Sequence, residues 1–505
     1  MTRDDSSGTI VVGDATPKSM SRGNSTEKLW EKEFLVTWQE GDAENPRNWS
    51  EAYKWFVFIV YCAQQFNANA ISTLWTPGTQ EAAKELGVSE VVMSLATAMY
   101  LFGFGVGPSL VSGAAERWGR KVVEAPPLAL IAIFQIPTAL APNVAVVLVF
   151  RFLAGCACAG TFNAAGVVAD LWPREERGWP TAFFVLNSIG GSNIAAGFAG
   201  YLVMAVGWRW TFGIGGISTA FMLLFVFLPF AEETHHGVRL KRRAKKLRRE
   251  TGDERYFADH EMKTTGQHPR QIIFETLLRP TWMLLTESIV FWFGLFESLT
   301  YIVIYLFIGS FQLIYVQYGF NMGEQNLAFF AIVLGFCIGF CMFPIQKALW
   351  RRAEKKGPME NGKPSPEARL LWVMPAGVLF SSSLLWFAWT SRPPVPWIVS
   401  MIALVFFGIG AFITFTGATE YVIASYGPVA TSATGAQNLL RETLAGSLTI
   451  ASVPMYKGLG NQWATTLLGC FAALVALVPF VLFKYGPAIR KRSQYHQLIV
   501  ESIDT

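Results

Sequence analysis

The sequence predicts an all-α polytopic membrane protein with twelve transmembrane helices in two six-helix bundles. Three observations lead to this prediction: the composition, the length of the apolar segments and a polar break near the middle of the chain. Of the 505 residues, 52% are hydrophobic and only 15% are charged, whereas about 25% of a soluble domain is charged. The apolar residues form runs of about 18 residues or more, long enough to cross a ~30 Å hydrocarbon core as helices.

The polar break covers residues 232–280 and is strongly basic. Its centre, Arg239 to Arg249, carries eight Lys or Arg in eleven residues, and one basic residue at mid-membrane depth costs roughly 2.5–3.5 kcal/mol. Six apolar segments lie on either side of it. The predicted units are an N-terminal tail (1–54), an N-terminal bundle (55–230), a basic linker (231–280), a C-terminal bundle (281–484) and a C-terminal tail (485–505).

We number the twelve apolar segments as spans 1 to 12 in chain order. Glycine and proline recur inside several of them, which is tolerated only where neighbouring helices cover the backbone. The predicted spans are 55–75, 90–112, 125–141, 144–168, 180–206, 211–230, 286–311, 325–346, 370–389, 397–423, 431–453 and 463–484.

The charge distribution predicts the topology. With the N-terminus in the cytoplasm, only four of the 41 Lys and Arg residues fall on the opposite loops: Lys84, Arg209, Arg392 and Lys457. Because basic residues collect on the cytoplasmic side, both termini and the linker are expected there. The tail 1–54 has no apolar signal core and is expected to be disordered. The linker is expected to be solvated, or to bind anionic membrane lipid as an amphipathic helix.

Cysteine and histidine usage gives no support for a metal site or an organic cofactor. All six cysteines lie in apolar segments and all five histidines lie in polar ones, so the two residue types do not combine into ligand sets. The cysteines are expected to pack as small apolar residues. No nucleotide-binding loop is present either, which argues against direct use of ATP.

A short charged motif connects spans 2 and 3. It reads Glu116-Arg117-Trp118-Gly119-Arg120-Lys121. Glycine allows a tight turn between helices, and the acidic and basic residues can form a charge clamp. The motif resembles the signature loop of the major facilitator superfamily, with Ser112 where that pattern begins with glycine. Ordinary positive-inside anchoring is the alternative explanation.

Further motifs along nearly the whole chain are similar to those of fungal twelve-span drug:proton antiporters. They are Asn45-Pro-x-Asn-Trp-Ser, Arg151-Phe-x-x-Gly155, Asp170-Leu-Trp, Arg177-Gly178, Gly207-Trp208-Arg209-Trp210, Glu232-Glu-Thr, Arg279-Pro280, Pro366-Glu-Ala-Arg-Leu370 and Lys484-Tyr-Gly-x-x-Ile-Arg490. The resemblance implies the major facilitator fold, alternating access, and a gating motif made of Glu116, Arg117, Gly119, Arg120, Asp170 and Arg177.

One motif of that family is altered. Its antiporter motif in span 5 reads Gly-Pro-x-x-Gly-Gly, and the corresponding residues here are Ala195, Ala196, Gly197 and, after two further residues, Gly200. The small residues keep close helix packing possible, but the proline bend is missing. The direction of transport is therefore left open by this motif.

Ionisable groups inside spans are costly and usually face a cavity or a partner. The resemblance implies a role in proton coupling for Arg151, with a structural arginine on backbone carbonyls as the alternative. Glu297 is expected to carry a proton as well, or to pair with a polar group on a neighbouring helix. It shares a helical stripe with Phe293, Tyr301 and Tyr305, because the four residues are spaced four apart.

Such a stripe would suit a cationic or neutral polar solute through charge pairing and cation–π contacts. Arg441 and Glu442 are adjacent in span 11 and are not expected to contact each other, so each is expected to need a partner on another helix. The residues predicted to line the substrate cavity are Gln65, Asn69, Asn187, Phe293, Tyr301, Tyr305, Thr416, Asn438 and Glu442.

These observations predict a secondary transporter, not an enzyme, that exports a small organic molecule, such as a drug, toxin, polyamine or secondary metabolite. The proton gradient is its expected energy source and the fungal plasma membrane its expected location. The expected partners are the solute and membrane lipid, with no nucleic acid, and the chain is expected to be a monomer. Uptake by a symporter or facilitator is the alternative, and a non-transporting membrane sensor is an alternative from another class.

Overall fold

The computed structural model describes residues 34–173, 176–264, 278–356, 359–360, 363–364, 366–426 and 430–493. Within these residues, nine helices are long and apolar enough to cross a membrane. One of them, Gly178–Phe230, contains both span 5 and span 6. Spans 1 and 11 also form helices, Glu51–Thr73 and Ala430–Thr449, with polar residues in their middle. Each predicted span is therefore helical, and the all-α polytopic prediction is confirmed.

The other helices follow the predicted order. Spans 2 to 4 are Glu90–Trp118, Arg120–Ala139 and Val144–Leu171, and spans 7 to 10 are Ser288–Tyr315, Ala328–Cys341, Leu370–Thr390 and Trp397–Tyr426. Span 12 lies within Ser452–Val475 and Val478–Arg492. Shorter helices are Thr79–Glu85, Asp259–Thr264, Arg279–Thr286, Met322–Asn326 and Phe343–Lys356; Met359–Glu360 and Lys363–Pro364 form a small antiparallel hairpin.

Gly207 and Gly460 make the same turn at corresponding places in the two bundles. Gly207, between spans 5 and 6, has φ 75° and ψ 166°, and Gly460, before the apolar part of span 12, has φ 76° and ψ 159°. A tryptophan follows three residues later in both cases, Trp210 and Trp463. This backbone region is essentially restricted to glycine. The repeated turn indicates that the two bundles are built on one plan.

Close packing within and between the bundles depends on small residues. Gly103 in span 2 and Gly155 in span 4 lie against each other's helix backbone, and Gly335 and Gly408 do the same for spans 8 and 10. Between the bundles, span 2 packs against span 11 and span 5 packs against span 8. These two seams enclose the polar residues at the centre of the molecule.

Residues of the N-terminal tail pack on the linker. Leu35 forms an isolated bridge with Phe257, and the Asp42 carboxylate pairs with Arg243 on the linker helix His236–Thr251. The prediction of a disordered tail over residues 1–54 is therefore wrong for residues 34–50, because these bridge and ion-pair contacts hold them. Residues 1–33 lie outside the described residues. We call the face that carries this assembly the linker side.

The linker helix begins with a histidine cap. The Nδ1 atom of His235 accepts a hydrogen bond from the Val238 amide at 3.3 Å, and its ring lies 5.4 Å from that of His260. Burial lowers the pKa of His235 from 6.5 to about 4 and also lowers the pKa of His236. The His236 Nε2 contacts the Asp170 carbonyl at 2.7 Å. The neutral histidines thus join the linker to the end of span 4.

We predict that docking of the linker helix weakens in acid. A histidine whose pKa is lowered by folding stabilises the folded state above the unfolded pKa of 6.5, and this contribution is lost as the pH falls towards about 4. Amide hydrogen exchange over residues 236–251, corrected for intrinsic rates, should show less protection at about pH 5 than at about pH 7.5.

Two substitutions at the cap separate its contributions. Asparagine accepts the same capping bond but does not titrate, so His235→Asn should reduce the pH dependence while keeping protection at neutral pH. His235→Ala removes the acceptor and should lower protection at both pH values. Equal pH dependence in wild type and His235→Asn would rule out His235 as the group responsible.

Candidate transport site between the two bundles

A buried charge cluster lies at the centre of the C-terminal bundle. The Arg441 guanidinium lies 3.6 Å from a Glu297 carboxylate oxygen in span 7 and 3.4 Å from a Glu442 oxygen in its own span. Glu297, Arg441 and Glu442 are 2%, 6% and 0% exposed. Arg441 has the expected partner on another helix, but the expectation that Arg441 and Glu442 cannot contact each other is wrong, because the flexible guanidinium turns back to its neighbour.

Other residues complete the surroundings of Arg441. Its Nη2 donates to the Asn438 side-chain oxygen at 2.5 Å, and its guanidinium lies over the rings of Tyr301 and Phe415, 4.4 and 5.0 Å from their centres. Thr419 donates to Glu297 at 3.1 Å. The sequence analysis missed Phe415 and Thr419. Their spacing of four in span 10 was the available signal.

The cluster faces the N-terminal bundle. Asn438 donates to the Phe104 carbonyl of span 2 at 3.2 Å. Next to it, Gly105 lies so close to Glu442 that an added Cβ would be 3.2 Å from the glutamate Cβ. The Oε2 atom of Glu442 is buried and has no hydrogen-bond partner within the described part of the chain. One carboxylate oxygen therefore remains available to a proton or a solute at the bundle interface.

Arg151 occupies the interior of the N-terminal bundle. It donates to three backbone carbonyls, those of Ala96, Ile71 and Ser72, at 2.9–3.2 Å, and its guanidinium lies 4.3 Å from the centre of the Tyr100 ring. These contacts match the structural alternative for Arg151. Its predicted role in proton coupling is untested.

Ser72, whose carbonyl binds Arg151, also contacts the opposite bundle. The Ser72 hydroxyl, on the residue whose carbonyl binds Arg151, lies 2.9 Å from the Tyr305 hydroxyl of span 7. The Tyr305 and Tyr301 rings are 6.2 Å apart, and Tyr301 contacts Arg441. A continuous line of polar and aromatic contacts thus runs between the two buried arginines.

Gln65, Asn69 and Asn187 form a wall between spans 1 and 5. Gln65 donates to Ser188 at 2.7 Å and accepts from Asn187 at 3.3 Å, while Asn69 donates to the Gln65 carbonyl at 2.9 Å. The three residues thus contact one another, and their role in lining a substrate cavity stays a prediction. Their hydrogen-bonding capacity is partly used inside the N-terminal bundle.

Two predicted cavity residues make their contacts with groups outside the cluster. Phe293 packs inside the C-terminal bundle against Tyr421, with ring centres 5.0 Å apart. The Thr416 hydroxyl donates to the Phe412 carbonyl of its own helix at 2.9 Å. Helical spacing puts these residues on the correct stripe, but packing turns their side chains to other neighbours.

The predicted gating motif forms a clamp on the linker side. The Arg120 guanidinium pairs with Asp170 at 3.3 Å, and the Arg120 amide donates to Glu233 at 2.9 Å. Thr234 donates to the same Asp170 oxygen at 3.0 Å. The clamp therefore joins the start of span 3, the end of span 4 and the segment after span 6.

The other gating residues surround this clamp. Arg177 donates to the carbonyls of Trp172 and Ala169 at 2.9 and 2.8 Å. The Glu116 side chain is exposed, and the Arg117 carbonyl contacts His260 at 3.4 Å. The motif is thus divided between direct clamp residues and residues that hold the ends of spans 2 and 4.

The altered antiporter motif lies at the contact between spans 5 and 8. Ala195 and Ala196 are buried. An added Cβ at Gly197 would lie 2.8 Å from the Phe330 ring, and one at Gly200 would meet the Met322 carbonyl and the Asn326 amide. Close packing between the bundles therefore persists without the proline.

Both ends of the bundle interface make contacts. On the linker side, Trp179 of span 5 packs on Phe340 and Phe343, with ring centres 5.4 and 5.2 Å apart. On the opposite side, Lys457 lies 3.4 Å from Glu90, beside a cavity of about 50 Å³ whose lining includes Glu90, Gln312 and Thr449. The central cluster is shielded from both sides in this arrangement.

We predict that Gly119→Ala destabilises the protein. Gly119 has φ 100° and ψ 158°, and an added Cβ would meet the Glu233 carboxylate. The backbone conformation alone costs about 1–3 kcal/mol for another residue, and the contact would displace the clamp. Thermal unfolding in detergent should therefore show a lower midpoint than for wild type.

Gly460→Ala is the matched control. Gly460 has a similar backbone conformation, and nothing lies within 4 Å of an added Cβ there. Gly119→Ala should lower the midpoint further than this control. Equal midpoints for the two variants would mean that the Glu233 contact is unimportant.

Sequence comparisons agree with this architecture. The sequence profile of the Major Facilitator Superfamily matches residues 56–450. An uncharacterised transporter, mfs2 of Schizosaccharomyces pombe, is 32% identical over 98% of this chain and 91% of its own length. The multidrug transporter mdrA of Aspergillus fumigatus is 30% identical over 94% of this chain and 77% of its own length.

Solved structures show the same fold. The proton:xylose symporter XylE superposes with a TM-score of 0.60 at 14% identity, covering 86% of this chain and 96% of XylE. The human organic anion transporter MFSD10 superposes with a TM-score of 0.56 at 17% identity, covering 86% of this chain and all of that protein. The family match over most of the chain and the relatives above 30% identity show that this protein belongs to the major facilitator superfamily of membrane transporters.

Proposed function

We propose that this transporter exports a small organic solute in exchange for protons, and that the Glu297–Arg441–Glu442 cluster provides the coupling. The observation that carries the proposal is the composition of the cluster: two carboxylates share one guanidinium in a buried site. The proposed setting is a monomer in the plasma membrane with both termini and the linker in the cytoplasm, driven by the proton gradient without an organic cofactor.

The net charge of the cluster favours the binding of a proton or a cation. With both carboxylates ionised, it carries one excess negative charge, and an uncompensated buried charge is strongly destabilising. A proton on either glutamate removes the excess, as does a cationic group of the solute. The two ligands therefore compete for one site, which is what antiport requires.

The solute class follows from the same residues. Glu442 has a carboxylate oxygen that accepts no hydrogen bond from the residues the structure describes, while Tyr301, Tyr305 and Phe415 contribute aromatic surfaces nearby. An amine or other cation would gain charge pairing and cation–π contact there. We therefore propose a cationic or hydrogen-bond-donating organic solute.

Alternating access would exchange the two sets of end contacts. Opening to the linker side would separate Trp179 from Phe340 and Phe343, and opening to the other side would break the Lys457–Glu90 contact. Each set consists of a few aromatic or polar contacts. Rocking of two bundles about a central site is the general mechanism of such transporters.

Uptake is the second candidate. The family antiporter motif is altered here to Ala195-Ala196-Gly197, which favours a symporter or facilitator. The name of the relative mdrA, a multidrug transporter, favours export. Span 5 still packs closely on span 8 without the proline, so we retain export as the leading proposal.

Transport in right-side-out and inverted vesicles under an imposed pH gradient tests the proposal. Labelled polyamines, azoles and organic acids would be assayed with wild type and Glu297→Gln. We expect accumulation in inverted vesicles with an acidic interior, and a loss of roughly tenfold or more in Glu297→Gln because the coupling carboxylate is removed.

Glu81→Gln is the matched control, since Glu81 is an exposed carboxylate in the connection between spans 1 and 2. It should transport like wild type. Equilibration that ignores the pH gradient and survives Glu297→Gln would contradict the proposal and identify a facilitator. Accumulation in right-side-out vesicles with an acidic exterior would identify a proton-coupled importer.

A further inference from the structure

We propose that Glu124 is a second proton-binding site, inside the N-terminal bundle, and that its proton keeps the Arg120–Asp170 clamp closed. The site is separate from the Glu297–Arg441–Glu442 cluster and depends on neither the solute nor the direction of transport. Its ligand is a proton supplied from the linker side. The sequence analysis missed Glu124, because the predicted span 3 began one residue later, at Ala125.

Glu124 lies on the inward face of span 3. In the helix Arg120–Ala139 it is buried together with Leu128, Ile131 and Gln135, whose spacing places them on one stripe. Glu124 is 0% exposed. Neither of its carboxyl oxygens accepts a hydrogen bond of ordinary length and angle from the residues that the structure describes. The Asn163 amide lies beside the carboxyl group as a weak, longer-range donor, and its nitrogen makes no ordinary hydrogen bond within the same residues.

The groups around Glu124 come from several elements. Tyr61 and Cys62 of span 1 and Asn163 of span 4 face it, and Arg120 lies one turn before it on its own helix. The Tyr61 hydroxyl donates instead to the Glu232 carbonyl at 2.8 Å. The acidic groups Asp170 and Glu233 both contact Arg120.

This environment accommodates the neutral carboxyl group. An ionised carboxylate that is buried without hydrogen bonds or a paired charge is so costly that such groups take up a proton instead. Among the described residues, the cation that acts on Glu124 is Arg120, and its guanidinium already lies on Asp170. The arrangement seen in the structure is therefore the one expected with a proton on Glu124.

Loss of that proton would give Arg120 a competing partner. Residues four apart on a helix are neighbours, so an ionised Glu124 can draw the guanidinium away from Asp170. The clamp joins span 3, span 4 and the segment after span 6, and weakening it would loosen the linker side. The released proton would pass to water entering as the clamp opens. Proton occupancy at Glu124 thus sets whether the clamp is closed.

Infrared spectroscopy of the purified full-length protein tests the proton directly. A protonated carboxyl group has its own carbonyl stretching band, distinct from that of a carboxylate. We expect Glu124→Gln to remove one such band at neutral pH, and the exposed-site control Glu81→Gln to remove none. Glu124→Asp, which keeps a titratable carboxyl, should move the band. Identical wild-type and Glu124→Gln spectra would overturn the proposal.

Hydrogen exchange tests the effect on the clamp. Protection of residues 116–124, corrected for intrinsic rates, should fall roughly tenfold in wild type as the pH is raised through the Glu124 titration, and should stay high in Glu124→Gln. Equal pH dependence in both proteins would overturn the link to the clamp. Glu297→Gln should leave the Glu124 band and the pH dependence of protection over residues 116–124 unchanged, so failure of the transport proposal and failure of this one give different results.

Discussion

Buried charge that must be matched across helices is the constraint on which the rest of this structure depends. In a low-dielectric interior, burying an unpaired charge destabilises a protein by more than a single contact between helices stabilises it. Arg151 is held by carbonyls of spans 1 and 2, Arg120 by Asp170 of span 4, and Arg441 by Glu297 of span 7. Each of these contacts joins two spans and fixes their position relative to each other along the helix axes. The helices are positioned by such contacts as much as by apolar packing.

Each bundle has an ion pair near one end that joins two segments of the chain. In the N-terminal bundle the clamp joins Arg120 to Asp170, and in the C-terminal bundle Arg490 pairs with Glu367, which also accepts a hydrogen bond from Tyr421 at 3.2 Å. The motifs that contain Glu367 and Arg490 are far apart in the chain, yet they meet at one ion pair. Together with the glycine turns at Gly207 and Gly460, this indicates a common plan for both halves.

Much of the site was predictable where helical spacing was the deciding factor. Glu297, Tyr301 and Tyr305 lie together as their spacing of four indicated, whereas Asn187 of span 5 meets Gln65 through a contact between helices that spacing along one helix does not predict. Helical spacing did not predict the contacts that depend on the rotation of a side chain. Phe293 turned to Tyr421, the Thr416 hydroxyl bonded to its own helix, and the Arg441 guanidinium reached back to Glu442. Helical spacing predicts the face of the helix on which a residue lies, but it does not predict which group the side chain contacts.

The sequence by itself determined the all-α architecture, the twelve spans, the basic linker and the family, because hydrophobic length and short local motifs depend only on neighbours along the chain. Only the tertiary structure decided that residues 34–50 pack on the linker and that Glu442 lies beside Gly105. Only the tertiary structure decided, too, that within the described part of the chain one Glu442 oxygen and both Glu124 oxygens are buried without an ordinary hydrogen bond. These features depend on groups far apart in the sequence. Whether a buried charge is satisfied can be known only once every helix around it is in place.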